Sequence, residues 1–192
     1  MLNVESDEKV ELTDNQNKVV GQMKRFIENG QMMAFLQGVP GAGKTTTAKE
    51  LALELGLKVF FSATTTTAAA LFKSVTINTL LKLGLSVDNF EYTSISYAAK
   101  QEILDNLRGI QLIVIDEASM MTPVTLARVD LHLRLSLESE QPFGGLHLLL
   151  VGDMSKSVLT KTMMAGCARF GIRRLNILLR KIAQQAYHPF AK

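Results

Sequence analysis

Gly38-Val39-Pro40-Gly41-Ala42-Gly43-Lys44-Thr45 is the stretch on which the reading of this chain turns. It fits the pattern G-x-x-x-x-G-K-S/T. An apolar run, Met32 to Leu36, precedes it, and a helical stretch, Thr45 to Leu55, follows and is closed by Gly56. Glycines let the backbone bend so that successive N–H groups point inward around a phosphate, and the helix beyond adds the positive end of its dipole. In that arrangement Gly38, Pro40, Gly41, Ala42, Gly43, Lys44, Thr45 and Thr46 surround a nucleotide's phosphates. Lys44 then acts on the β- and γ-phosphates, and the Thr45 hydroxyl is a ligand for Mg²⁺. The bland alternative is a Gly-rich turn with a solvated lysine, and the strand-loop-helix context weighs against it.

Working outward, Val19, Val20, Met23, Phe26 and Ile27 recur at helical spacing between Asn15 and Asn29, with Asn29-Gly30 as a stop signal. Lys58 to Ala63 and Leu146 to Val151 read as strands. So does Leu112 to Ile115, whereas Ala68 to Phe72, Tyr97 to Leu107 and Pro123 to Leu137 read as helices. Residues 74–95 carry no clear periodicity. Strands that are continuously apolar and alternate with helices imply a parallel sheet covered on both faces. The expectation is an α/β domain over residues 13–153, with a flexible start at 1–12.

A phosphate loop needs an acidic partner at the end of a neighbouring strand. Leu112-Ile113-Val114-Ile115-Asp116-Glu117 supplies one. Asp116 is expected to hold Mg²⁺ through water or Thr45, and Glu117 to orient or deprotonate the attacking water. Lys44, Asp116 and Glu117 are thus the candidate catalytic residues, acting on a nucleoside triphosphate.

Composition sets the outer bounds. A chain of 192 residues with 47% hydrophobic and 20% charged residues has room for one sizeable core and is not disordered. The single cysteine, Cys167, excludes a disulfide framework. No apolar run reaches the roughly 18 residues of a membrane span, and the N-terminus has neither part of a signal peptide, so a soluble, intracellular protein is expected. With only His132, His147 and His188, a further metal site has no support, and His147 reads as a half-buried strand residue. The net charge of +3 divides unevenly. Residues 154–192 hold eight basic and no acidic residues, leaving thirteen basic against eighteen acidic, a net of −5, in the remainder. Arg173 to Gln185 reads as a helix whose arginines either neutralise nucleic-acid phosphates or form a solvated face.

Several further strings together resemble the Pif/RecD-type DNA helicases of superfamily 1. Leu12-Thr13-Asp14-Asn15-Gln16 is similar to the family's L-T-x-x-Q, whose Gln reads adenine. Thr13 with Gln16 is equally a capping box, and the two roles are compatible. Ala63-Thr64-Thr65-Thr66-Thr67-Ala68-Ala69 aligns with A-P-T-G-K-A-A, and Thr76-Ile77-Asn78-Thr79-Leu80 with T-I-H-S-F. The resemblance implies that Thr64, Thr65, Thr66, Thr76 and Asn78 contact single-stranded DNA. The plain reading of the first segment is a strand-to-helix turn capped by Thr67. Asp116-Glu117-Ala118-Ser119-Met120 resembles D-E-x-S-M, although Ser119 and Met120 also read as core packing. Pro142-Phe143-Gly144-Gly145, followed by a strand ending in Gly152-Asp153, looks like the P-F-G-G and G-D of Pif-like members in particular.

The resemblance implies a three-layer, RecA-like P-loop NTPase fold with a mostly parallel sheet. It also implies ATP and Mg²⁺ as cofactors, single-stranded DNA as partner, and a 5′ to 3′ DNA helicase motor acting in repair or recombination. Departures qualify it. Lys156 stands where the family has a Gln that senses the γ-phosphate, and an ammonium cannot accept a hydrogen bond as an amide does. Thr64, Thr67 and Asn78 replace the family's Pro, Lys and His. Residues 154–192 do not resemble the family, and no second RecA-like domain is recognisable. ATP binding with little unwinding by this chain alone is therefore expected, the arginine that stabilises the transition state coming from a partner chain or a missing second domain. The alternatives are a nucleotide-dependent DNA- or protein-binding module and a small-molecule kinase.

Overall fold

The computed structural model describes residues 11–30, 32–39, 41–84 and 95–153. Four parallel strands, β1 (Met33–Gln37), β2 (Val59–Ala63), β3 (Leu112–Asp116) and β4 (His147–Gly152), form one sheet in the order β1-β4-β3-β2. Six helices accompany it: α1 (Asp14–Glu28), α2 (Lys44–Leu55), α3 (Thr66–Leu71), α4 (Ile77–Leu80), α5 (Tyr97–Asn106) and α6 (Pro123–Leu137). Among the described residues the expected elements are present with ends shifted by one or two residues, and the sheet is wholly parallel.

The strands bury both faces because their side chains alternate across the sheet. Ile113, Ile115, Leu148 and Leu150 pack with Ile77, Leu80, Ile103, Leu126 and Leu133, from α4, α5 and α6. Leu112, Val114, Leu149 and Val151 face the other way, toward Val20 and Met23 of α1 and Ala48 and Leu51 of α2. Three layers result. All five residues of β3 are buried, as a central parallel strand requires.

Local chemistry fixes the helix ends. Thr13 and Gln16 close a reciprocal capping box on α1, and Asn29 ends the helix with Gly30 beyond it at φ 71°. Pro123 sits in the first turn of α6 behind the cap Thr122. The cap of α3 is Thr65 rather than the expected Thr67: its hydroxyl accepts from Ala68 N at 3.3 Å. β2 ends at Ala63 as expected, but α3 begins at Thr66, two residues before the expected start at Ala68, which moves the cap back to Thr65. Within the aperiodic segment lies α4, capped by Thr76; residues 85–94 lie outside the described residues. Met120 is 70% exposed and its neighbour Met121 is 3% exposed, so core packing falls on Met121, not Met120.

Pro40, Lys156, the basic segment 154–192 with its expected helix, and residues 1–10 lie outside the described residues. Among the described residues no helix is long and apolar enough to cross a membrane, and no cluster of three or more His, Cys, Asp or Glu has metal-binding geometry.

Candidate nucleotide site

Parallel strands bring their C-terminal ends to one edge, where open α/β sheets expose backbone groups to ligands. Here that edge carries Gly38 after β1, Thr64 after β2, Asp116 of β3 and Gly152-Asp153 at the end of β4. The phosphate loop bridges β1 to α2. Gly41 and Gly43 adopt φ of 78° and 72°, a left-handed conformation open to glycine at little cost. Gly43 is the N-cap of α2 and makes no side-chain capping bond. The start of this twelve-residue helix carries no side-chain cap, and a helix N-terminus of that kind is able to receive a phosphate.

Lys44 bends back over the loop. Its Nζ donates to the Val39 carbonyl at 2.9 Å, and its stem passes so near Gly38 that a Cβ there would lie 3.3 Å from Lys44 Cγ. Thr46 is half-buried in the first turn of α2, while Thr47 is buried and donates to Gly43 O at 2.9 Å, tightening the junction of loop and helix.

The decisive contact spans 71 residues. Thr45 Oγ1 donates to Asp116 Oδ2 at 3.0 Å, which joins the phosphate loop to the end of β3. The other carboxylate oxygen, Oδ1, accepts from Glu117 N at 2.8 Å. Asp116 is 8% exposed, whereas Glu117 is exposed, so one acid is held in place and the next is presented to solvent. A hydroxyl beside a fixed carboxylate is a hard-oxygen donor set, and that chemistry suits Mg²⁺.

Gln16 closes the expected capping box and also reaches the phosphate loop. Its Oε1 accepts from Thr13 N at 2.9 Å in the capping box, and its Nε2 donates to Ala42 O at 3.4 Å in the phosphate loop. A Cβ on Gly43 would stand 2.5 Å from that Nε2, so the loop admits the amide through glycine at this position.

The DNA-facing candidates divide. Thr66 and Asn78 are exposed. Thr65 is exposed too, but its hydroxyl already caps α3, and Thr76 is 9% exposed with its hydroxyl accepting from Thr79 N at 3.2 Å. Thr64 turns inward: its N–H donates to Asp116 O at 3.1 Å and its Oγ1 to Glu117 O at 2.8 Å. A backbone bridge between Ala63 and Thr76, and a bond from Ser62 Oγ to Val75 O at 2.8 Å, tie the two candidate segments together. Two further features escape sequence reading. Gly152 is packed so closely that a Cβ would sit 3.3 Å from Ser119 N and 3.4 Å from Ala118 N. Asp130, in the middle of α6, accepts from Phe143 N at 2.6 Å and pairs with Arg134 Nε at 2.8 Å. A glycine at a strand end and an i,i+4 charge pair were the visible signals, and neither names its distant partner.

A phosphate loop leading into a helix N-terminus, and a loop hydroxyl joined to an acid at the tip of a parallel strand of the same sheet, define a P-loop nucleotide-binding domain of the RecA-like kind. The model of the PIF1-like helicase family matches residues 11–166, and the chain belongs to that family. The match runs on past Asp153 through the Lys156 position, so the expectation that 154–192 is unlike the family is corrected for its first thirteen residues. Among relatives, the ATP-dependent DNA helicase Pif1 of Psychrobacter sp. (strain PRwf-1) is 30% identical over 122 residues, 62% of this chain and 18% of that protein. The ATP-dependent DNA helicase PIF1 of Saccharomyces cerevisiae (strain YJM789) is 27% identical over 157 residues, 79% of this chain and again 18% of that protein. Among solved structures, Pif1 from Bacteroides sp. in complex with ADP-AlF4 is 28% identical at a TM-score of 0.61, covering 76% of this chain and 33% of that one. Bacteroides Pif1 bound to single-stranded DNA is 28% identical at a TM-score of 0.58, covering 76% and 32%. The chain therefore spans 18% of the length of these two curated relatives.

Proposed function

We propose that this chain is the ATP-binding and ATP-hydrolysing motor domain of a 5′ to 3′ DNA helicase, acting in DNA repair, recombination or genome maintenance. The observation that carries the reading is the 3.0 Å bond from Thr45 to Asp116, because it assembles two distant motifs into one site. In the reaction, water attacks the γ-phosphorus, the bond to the β-γ bridging oxygen breaks, and ADP and inorganic phosphate leave. Glu117, exposed at the end of β3, orients that water and takes its proton. Lys44 gives up its bond to Val39 O for the β- and γ-phosphate oxygens, and the N-terminus of α2 faces the same charge. The adenine contact is assigned to Gln16 from the family pattern, and its cap on α1 and its bond to the phosphate loop are compatible with that role. Thr45 and Asp116 would hold Mg²⁺, which when bound neutralises phosphate charge in the transition state.

Single-stranded DNA is the polymer this reading assigns to the edge formed by Thr64 to Thr66, Thr76 and Asn78. The direction and the cellular role are carried from the family. The arginine that completes such sites is expected from a second RecA-like domain or a partner chain, and its contribution is about 10³ to 10⁵ in rate. Isothermal titration with ATP and Mg²⁺ tests the core of the proposal. Wild-type protein is expected to bind and Lys44→Ala to bind at least about tenfold more weakly, one charge-assisted contact being worth roughly 1.5–3 kcal/mol. Equal affinity in the two overturns the site.

A further inference from the structure

Glu117 has an unusual backbone for a side chain that must be aimed. Its φ of 52° and ψ of 32° put a residue with a Cβ in the left-handed region, which L-residues other than glycine, asparagine and aspartate seldom enter. Such a conformation persists where its neighbours hold it. Two bonds do so here, one on each side of the residue. The Asp116 carboxylate accepts from the Glu117 N–H at 2.8 Å, and the Thr64 hydroxyl donates to the Glu117 carbonyl at 2.8 Å. The Thr64 N–H adds a third tie, to the Asp116 carbonyl at 3.1 Å. A proline at position 64 would have neither an N–H nor a hydroxyl; any other residue keeps the N–H tie, but the tie to the Glu117 carbonyl needs the hydroxyl that this chain has there.

Thr64 is also the first residue of the threonine turn that leads into α3, and Thr65, Thr66 and Thr67 beyond it are exposed. Anything that binds and shifts that turn pulls on the carbonyl of Glu117. We propose that Thr64 is a positioning residue that couples occupancy of the threonine turn by single-stranded nucleic acid to the orientation of Glu117. This rests on the nucleotide and DNA reading above. The coupling is reciprocal by thermodynamic necessity: DNA on the turn favours the geometry that binds the hydrolytic transition state, and a transition-state analogue at the site strengthens DNA binding.

The test compares wild type, Thr64→Val, which keeps the shape and removes the hydroxyl, and Thr64→Ser, which restores it. Thermal unfolding first establishes that each variant is folded. The affinity of ADP is then measured, followed by that of ADP with aluminium fluoride, each with and without an oligothymidylate. In wild type the oligothymidylate is expected to tighten the aluminium fluoride complex by about fivefold or more, the lower end of ordinary allosteric couplings. Thr64→Val should lose that gain while binding ADP alone within about twofold of wild type. Thr64→Ser should keep the gain. An undiminished gain in Thr64→Val, or an equal loss in Thr64→Ser, overturns the proposal. Wild-type protein that binds ADP but shows no gain from the oligothymidylate overturns the coupling and leaves the nucleotide site standing. Failure of wild type to bind ADP or ATP at all brings down the reading on which it rests.

Discussion

The two ends of the sheet are built on opposite plans. At the C-terminal edge polar side chains tie separate segments together: Thr45 to the Asp116 carboxylate, Thr64 to the Glu117 carbonyl, and the Gln16 amide to the phosphate loop. At the other edge, where β4 begins, a tight turn at Pro142–Gly145 packs under α6, with Phe143 fully buried and its N–H held by Asp130. Among the described non-glycine residues with positive φ are Glu117 at the first edge and Phe143 at the second, both at 52°. The left-handed backbone aims a side chain into solvent in one case and into the core in the other. The same local device thus presents a side chain to solvent at one edge and buries one at the other.

That contrast can be broken by mutation. The largest separation is expected from Glu117→Gln, which should lower ATP turnover by about 10² to 10⁴ while leaving thermal stability and ATP affinity almost unchanged. A fall in stability, or unaltered turnover, would mean that the C-terminal edge is structural after all. Next comes Asp130→Ala, which strands the Phe143 N–H and leaves Arg134, 12% exposed, without its carboxylate. Removing one partner of such a pair costs about 3–5 kcal/mol, to be read from urea unfolding, and ADP should bind the remaining folded protein with wild-type affinity.

The smallest effect concerns His132, buried in α6, with its Nδ1 at 2.8 Å from Leu81 O. A carbonyl only accepts, so Nδ1 carries the hydrogen. Burial lowers the pKa of His132 from its ordinary 6.5, the bond to Leu81 opposes that, and the charge of Arg128 adds to the lowering. The unfolded chain then takes up a proton before the folded one does. Stability should be full above pH 6.5 and decline as pH falls below it toward the lowered folded value, by at most about 1.4 kcal/mol per pH unit. His132→Gln should flatten that decline in urea midpoints taken between about pH 7.5 and 5.5; an unchanged slope would assign the acid sensitivity to other groups.

Much of the C-terminal edge was legible in the sequence because its motifs are contiguous: the phosphate loop, the apolar run before Asp116 and the capping box at Gln16 each need one short window. The layered fold followed from the same windows, since continuously apolar strands alternating with helices admit few arrangements. What stayed hidden depends on pairs far apart. Four successive threonines have equal capping ability, and only the backbone, extended at Thr65 and helical from Thr66, selects Thr65 over Thr67. Asp130 with Arg134 looks like an ordinary surface pair on a helix until the turn carrying Phe143 closes over it. The inward turn of Thr64 is equally invisible, because a hydroxyl next to a strand end gives no hint of which carbonyl will accept from it.

Gly152 shows how spacing between functional strand ends can be set by an atom that is missing. The hydrogen in place of a side chain lets the tip of β4 come within van der Waals distance of the Ala118 and Ser119 amides, just past the acidic pair of β3. The separation of the two strand tips is in effect gauged by one residue. Any side chain there would act as a shim, widening the gap between the ends of β3 and β4, so tolerance at this position measures how finely those two ends must be spaced.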